Sequence, residues 1–266
     1  MPKLKCRELT SVCVVDSEGR KANLASAMAR GLPMAIQLPE RDGPLAIVAS
    51  GPSAREHIEE FRAWPGEVWA INGAYDFLLD HGIIPKGFFG IDPLAGLADY
   101  VRNPQKETTF FLASTSDPSV FDALKDHDVQ LFHPASEDME FPDGWVIGGG
   151  TTALTRVPYL GILRGWRDVT LFGADSSFDG RRYCYEWGRY PTDIDVETIW
   201  LEINGEGPFE TEIGLLKQVS QMGVLIDKFK GRLKVRCGGL MAAFLRAPIM
   251  DPSIIEMEKG EEARCG

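Results

Sequence analysis

The sequence predicts an α/β chain: a doubly wound, mainly parallel sheet with helices on both faces. Three observations carry this expectation. Short apolar runs recur along the chain, each closed by glycine, asparagine or aspartate. Segments with helical spacing or helix caps lie between them, and such alternation is the pattern of a sheet wound in parallel. The polar residues that stand out, Gly51-Pro52-Ser53, Asn72, Asp92, Gly148 to Thr152 and Asp175, all follow predicted strands. In sheets of this kind ligands sit beyond the carboxyl ends of the strands.

The first 43 residues read as an extension. Ser11 to Val15 fits an edge strand, and Asn23 to Arg30 a short helix stopped by Gly31. Pro39 to Pro44 is polar and rich in breakers, so the main domain is placed at 44–250. It opens on the buried strand Leu45 to Ala49, followed by Ser50-Gly51-Pro52-Ser53 and a helix start. Ser53 and Glu56 have the spacing of a capping box. Gly51 has no Cβ, which leaves room for a ligand against the main chain. The N–H groups of Gly51, Ser53, Ala54 and Arg55 then form a candidate phosphate seat at a helix N-terminus.

Glu67 to Ile71 is the second strand, ending at Asn72-Gly73, and Ala74 to His81 a helix with Gly82 as its cap. Lys86 to Ile91 and Thr108 to Ala113 are the third and fourth strands. Asp117 caps a helix with Pro118 at its first position. Val129 to Phe132 is the fifth strand. Gly148-Gly149-Gly150-Thr151-Thr152 forms a second glycine turn, opening a helix that runs to about Gly165 and contains Pro158. Asp168 to Phe172 is a strand ending in Gly173-Ala174-Asp175, with a polar loop from Ser176 to Thr192. Thr198 to Ile203 is another strand. Glu212 to Phe229 is a long helix with a core-facing apolar stripe, and Leu233 to Cys237 a last strand before Gly238-Gly239. From Asp251 to Gly266 the chain is an acidic tail.

Composition narrows the function. The chain has 266 residues, 44% hydrophobic and 25% charged, an ordinary globular balance, and a formal net charge of −11. That charge argues against a nucleic-acid-coating role, which needs a basic face. It also means that a phosphate has to be held locally, by backbone N–H groups, a few arginines or a metal ion. The five cysteines show no C-x-x-C pair, which fits reduced thiols in the cytoplasm. Met1 to Cys6 shows no signal-peptide core, and no apolar run is long enough to span a bilayer. Oligomeric state is left open.

The order Ala-Ile-Val-Ala-Ser-Gly-Pro-Ser (46–53), Ala-Ile-Asn (70–72), Gly-Ile-Ile-Pro-Lys-Gly-Phe-Phe-Gly-Ile-Asp-Pro (82–93), Gly-Gly-Gly-Thr-Thr-Ala (148–153) and Val-Thr-Leu-Phe-Gly-Ala-Asp (169–175) resembles the MptE-like Rossmann domain. That family is named for the archaeal 6-hydroxymethyl-7,8-dihydropterin pyrophosphokinase. The resemblance covers about residues 44–247. The Gly-Pro-Ser turn and the following Asn also look like those of bacterial sialyltransferases that use a CMP-sugar.

The resemblance implies a Rossmann-like fold and diphosphate transfer from ATP to a hydroxymethyl-type small molecule. Gly51, Pro52, Ser53, Asn72, Gly148, Gly149, Gly150, Thr151 and Thr152 would hold the nucleotide, and Asp92 and Asp175 a Mg²⁺ ion. Two carboxylates at adjacent strand ends suit a hard cation that needs few protein ligands. A sialyltransferase-like reaction would instead need a general base. Of His57, His81, His127 and His133, the last is the best placed, just past a strand end. A non-catalytic nucleotide-binding module is the third reading. The sequence departs from the family pattern in residues 1–43 and in the 176–192 loop, so the acceptor is not fixed by the resemblance.

Overall fold

The computed structural model describes residues 15–142, 144–179, 198–203 and 205–246. The expected strand at 11–15, most of the 176–192 loop and the acidic tail lie outside the described residues. The chain opens with α1 (Ser17–Ala29), longer than the sequence predicts because Asp16 caps it, its side chain accepting from the Gly19 N–H at 2.8 Å. Gly31 follows with φ +63°, where glycine is favoured. Then come β1 (Arg41–Val48), a 3-10 turn (Pro52–His57), α2 (Ile58–Arg62), β2 (Glu67–Ile71), α3 (Ala74–Asp80) and β3 (Gly87–Gly90). A second 3-10 turn (Ala95–Val101) leads to β4 (Thr109–Ala113), α4 (Pro118–Ala123), β5 (Asp128–Pro134), the two-residue β6 (Val146–Ile147), α5 (Ala153–Leu163) and β7 (Trp166–Phe172). The antiparallel pair β8 (Ile199–Ile203) and β9 (Glu206–Thr211) precedes α6 (Ile213–Lys228), β10 (Leu233–Arg236) and α7 (Gly239–Arg246).

Eight strands form one sheet in the order β10-β7-β1-β2-β3-β4-β5-β6, every pair parallel. From β1 the chain steps outward strand by strand to β6. It then crosses back through α5 to place β7 on the other side of β1. Right-handed crossovers in opposite directions put the helices on opposite faces, and the cores show it. Ala46, Val48, Ala70, Phe88 and Phe110 pack with Phe61 of α2, Tyr75 and Leu78 of α3 and Phe121 of α4. Leu45, Ile47, Trp69, Phe89 and Phe111 pack with Leu154 and Leu160 of α5 and Met222 of α6. Alternate residues of one strand thus serve two cores, so β1 and β4 read as continuous apolar runs. Burial of each Val, Leu, Ile, Phe and Met among them stabilises the fold by about 1.5–3 kcal/mol.

Strand β1 starts at Arg41, ahead of the Pro39–Pro44 breakers' end. The preceding residues join the sheet's far edge, where Ala35 N–H donates to Leu131 O at 2.7 Å and Leu131 N–H to Pro33 O at 2.8 Å. Strand β9 is a second departure from the sequence reading. Gly205 precedes it and Gly207 lies within it, and its solvated residues hide the alternation of an apolar strand. No helix among the described residues is long and apolar enough to cross a membrane.

Candidate functional site

The carboxyl ends of β1 and β7 meet where the winding reverses, the position at which such sheets hold ligands. Here that position is knitted together by Asp175, which is 3% exposed. Its Oδ2 accepts from the Ser53 N–H at 2.6 Å, and its Oδ1 from the Ser53 hydroxyl at 2.5 Å and the Gly238 N–H at 2.7 Å. One carboxylate therefore caps the turn after β1 and the start of α7. The loop that carries it is tied down in turn. Ser176 sits at φ +53°, its hydroxyl accepts from Gln218 Nε2 at 2.9 Å, and its carbonyl accepts from the Thr211 hydroxyl at 2.8 Å.

This arrangement revises the sequence reading of the first glycine turn. Pro52 is the first residue of the 3-10 turn, and the Ser53 hydroxyl goes to Asp175 rather than into a capping box with Glu56. Gly51 N–H donates to Gly173 O at 2.8 Å and Ala54 N–H to Gly51 O at 3.1 Å. Of the nominated phosphate donors, those of Gly51, Ser53 and Ala54 are used inside the protein. A Cβ on Gly51 would collide with the Gly173 carbonyl and lie 2.8 Å from Asp175 Cγ. The space that glycine opens is filled by the chain itself.

The second glycine turn is more open. Gly149 (φ +117°) and Thr151 are exposed at the start of α5. Thr152 is the N-cap, and its N–H donates to Thr155 Oγ1 at 3.2 Å. Thr151 N–H donates to Gln221 Oε1 of α6 at 2.9 Å, so a neutral side-chain oxygen stands at the helix N-terminus. Arg156, one turn on, donates to Ile147 O and Ala135 O, both at 3.0 Å, and burial lowers its pKa.

Asn72 ends β2. Its φ is +48°, left-handed backbone that asparagine tolerates better than most residues. Its Oδ1 is buried with no hydrogen-bond partner. Strain and an orphaned polar atom in one residue are features that concentrate at functional sites. Asp92 follows β3. One carboxylate oxygen accepts from the Leu94 N–H at 3.0 Å, and burial raises its pKa against that bond. His133 lies within β5 rather than past it. It is fully buried, its Nδ1 is 2.8 Å from the Ser114 hydroxyl, and its ring stacks on Phe141 at 4.8 Å. His57 sits 3.1 Å from Glu60 Oε2.

The sheet order does not bring Asp92 and Asp175 together. Their strands, β3 and β7, have β1 and β2 between them. Three inter-strand steps are about 14 Å, whereas Mg²⁺ binds its oxygens at about 2.1 Å. The two carboxylates are not at adjacent strand ends and cannot share one ion, and the oxygens of Asp175 are already engaged. No group of three or more His, Cys, Asp and Glu among the described residues is placed to hold a metal ion. The sequence reading missed Ser116, past the end of β4, whose buried hydroxyl also lacks a partner. The polar step Ser114-Thr115-Ser116 directly after an apolar strand was the available signal. A groove of about 510 Å³ lies instead at the amino edge, lined by Leu38, Pro39, Tyr159, Leu163 and Arg167, away from these residues.

Winding, switch point and polar strand ends define a Rossmann-like α/β domain with its candidate site at the carboxyl edge. The chain belongs to the MptE-like family (6-hydroxymethylpterin diphosphokinase MptE-like), whose family model matches residues 22–181. Among solved structures it is similar in fold to the MAf glycosyltransferase from Magnetospirillum magneticum AMB-1, with a TM-score of 0.61 and 20% identity. That similarity covers 83% of this chain and 37% of the other, so the chain spans little more than a third of the glycosyltransferase. No curated protein matches. Both names are those of transferases.

Proposed function

We propose that the protein is a nucleotide-dependent transferase whose donor lies across the carboxyl edge between β1 and β4, with Asn72 as a direct contact. The observation that carries this reading is Asn72 itself: a left-handed backbone and a buried, unpartnered Oδ1 at a central strand end. A buried acceptor without a partner costs about 1–3 kcal/mol, which a bound ligand's donor would recover. The turn before α5, with Gly149 and Thr151 exposed, offers a helix N-terminus to the donor's phosphates.

Family membership favours diphosphate transfer from ATP to a hydroxymethyl-type acceptor. Magnesium fits this reading as an ion carried on the donor's phosphates, and Asp175 is left to its structural task. The second reading, transfer from a nucleotide-activated sugar, is favoured by the glycosyltransferase architecture and by the separation of Asp92 from Asp175, since such transfer can proceed without a metal pair. A proton-transfer role for His133 in either reaction needs the Phe141 ring to lift from it.

The test is a set of thermal shifts on the wild type and Asn72→Gly, using ATP with Mg²⁺, CMP, and UDP- and CMP-sugars. Glycine keeps the backbone conformation and removes the side chain. The expected outcome is a ligand-dependent rise in Tm for the wild type that shrinks in the variant, while the apo Tm stays level or rises. The nucleotide giving the largest rise decides between the two donors. No rise with any of them would refute nucleotide binding.

A further inference from the structure

Past the middle of the sheet, three successive strand ends offer hydrogen-bond acceptors. Asn72 presents an unpartnered Oδ1 after β2, Asp92 a carboxylate after β3, and Ser116 an unpartnered hydroxyl after β4. Ser116 is wholly buried, its N–H already given to Ala113 O at 3.0 Å. The loops after β3 and β4 are braced side by side by one amide of α1: Asn23 Nδ2 lies 3.2 Å from Pro93 O and 3.1 Å from Thr115 O. Asp92 and Ser116 are the chain neighbours of those two carbonyl-bearing residues. The brace fixes their separation without using either side chain.

The chemistry of this row is one-sided. A carboxylate and an amide oxygen accept hydrogen bonds only, and an anion placed against them would be repelled. A group carrying hydroxyl donors satisfies all three, because a serine hydroxyl completes the row as either donor or acceptor. Carboxylates at strand ends are suited to ribose hydroxyls for the same reason.

We infer that the Asn72–Asp92–Ser116 row binds the vicinal hydroxyls of a nucleotide's ribose, with Ser116 as a specificity-determining residue, and that the phosphates lie away from this row. The inference rests on the nucleotide-binding reading above and adds the orientation of the ligand and the residue that reads the sugar. Within it, Ser116 is a binding residue with no part in bond making.

The experiment measures the affinity of the wild type for the best-binding nucleotide and for its 2′,3′-dideoxy form, then repeats both with Ser116→Ala. The wild type should prefer the ribonucleotide at least about tenfold, the discrimination expected when a buried polar site is left unpaired by the analogue. Ser116→Ala should cut that preference to a few-fold by weakening the ribonucleotide alone. Its apo Tm should be unchanged or higher, because an orphaned buried hydroxyl contributes nothing to the unliganded fold. Equal affinity of the wild type for the two nucleotides would overturn the inference with no variant needed. So would an unaltered preference in Ser116→Ala. A wild type that binds no nucleotide defeats the nucleotide reading itself, a result distinct from binding without sugar discrimination.

Discussion

Asp175 grips Ser53 twice, accepting from its N–H at 2.6 Å and from its hydroxyl at 2.5 Å across a sequence gap of 122 residues. The same carboxylate reaches the Gly238 N–H. An internal carboxylate thus takes the Ser53 N–H, one of the donors that the sequence reading assigned to a phosphate. Three charge-assisted bonds on one buried group make it a fastener for the β1 turn, the β7 loop and α7.

Asp175→Asn should therefore act on stability first. An amide has a single acceptor oxygen, so its NH₂ must face at least one of the donors that the second carboxylate oxygen now serves. A loss of about 1–3 kcal/mol is expected, measured by urea unfolding. Any activity loss should follow the folded fraction. A variant of wild-type stability with abolished turnover would instead make Asp175 a reacting group.

Gly51→Val tests the same junction sterically. The added side chain would press into the Gly173 carbonyl and the Asp175 carboxyl group. Overpacking of this kind costs about 1–3 kcal/mol, occasionally more, and a clear drop in Tm is expected before any ligand is added. Normal stability with lost nucleotide binding would restore Gly51 as a ligand seat.

Asp92→Asn probes a carboxylate of opposite character. Burial raises the Asp92 pKa and outweighs the bond from Leu94 N–H. The folded protein then holds this proton more tightly than the unfolded chain does. Stability associated with the group is present below the ordinary carboxylate pKa of 3.8 and falls as pH rises through the raised value. Asparagine keeps an acceptor for Leu94 and removes the charge. The variant should be more stable than the wild type at pH 7, with the difference vanishing as pH drops below that range. Ligand binding should weaken even so, which calorimetry at pH 7 would show.

Gln221→Glu changes the charge at the start of α5. The new carboxylate would accept from Thr151 N–H at a helix N-terminus, a placement that stabilises by about 0.3–1 kcal/mol. If donor phosphates lie at this turn, the same charge repels them. A higher apo Tm combined with at least about tenfold weaker nucleotide binding is expected. Undiminished binding would place the phosphates elsewhere on the edge.

Much of the fold was legible because it follows from local physics. The runs Leu45 to Ala49 and Thr109 to Ala113 are too short and too evenly apolar for exposed helices, and Asp117-Pro118 starts α4 through a cap that needs only neighbouring residues. Alternation of these segments was enough for a parallel, doubly wound sheet. It also placed Asn72, Asp92, Asp175 and the 148–152 turn at strand ends, although the strand before that turn is the two-residue β6, which the sequence reading did not resolve. Strand order was not legible. Sequence spacing does not say that β7 inserts beside β1, which puts β1 and β2 between Asp92 and Asp175 and rules out their shared ion. Nor does it say which donors the protein consumes internally. Ser53 could be read as a helix cap until a carboxylate 122 residues away claimed it. Asn72 stood out only by its place after a strand, and Ser116 not at all, until packing buried their oxygens without partners. Local propensity and hydrophobic pattern determine which elements form, because they depend on near neighbours. Only tertiary packing, which brings distant polar groups within hydrogen-bond reach and shields others from water, decides which of them are left to meet a ligand.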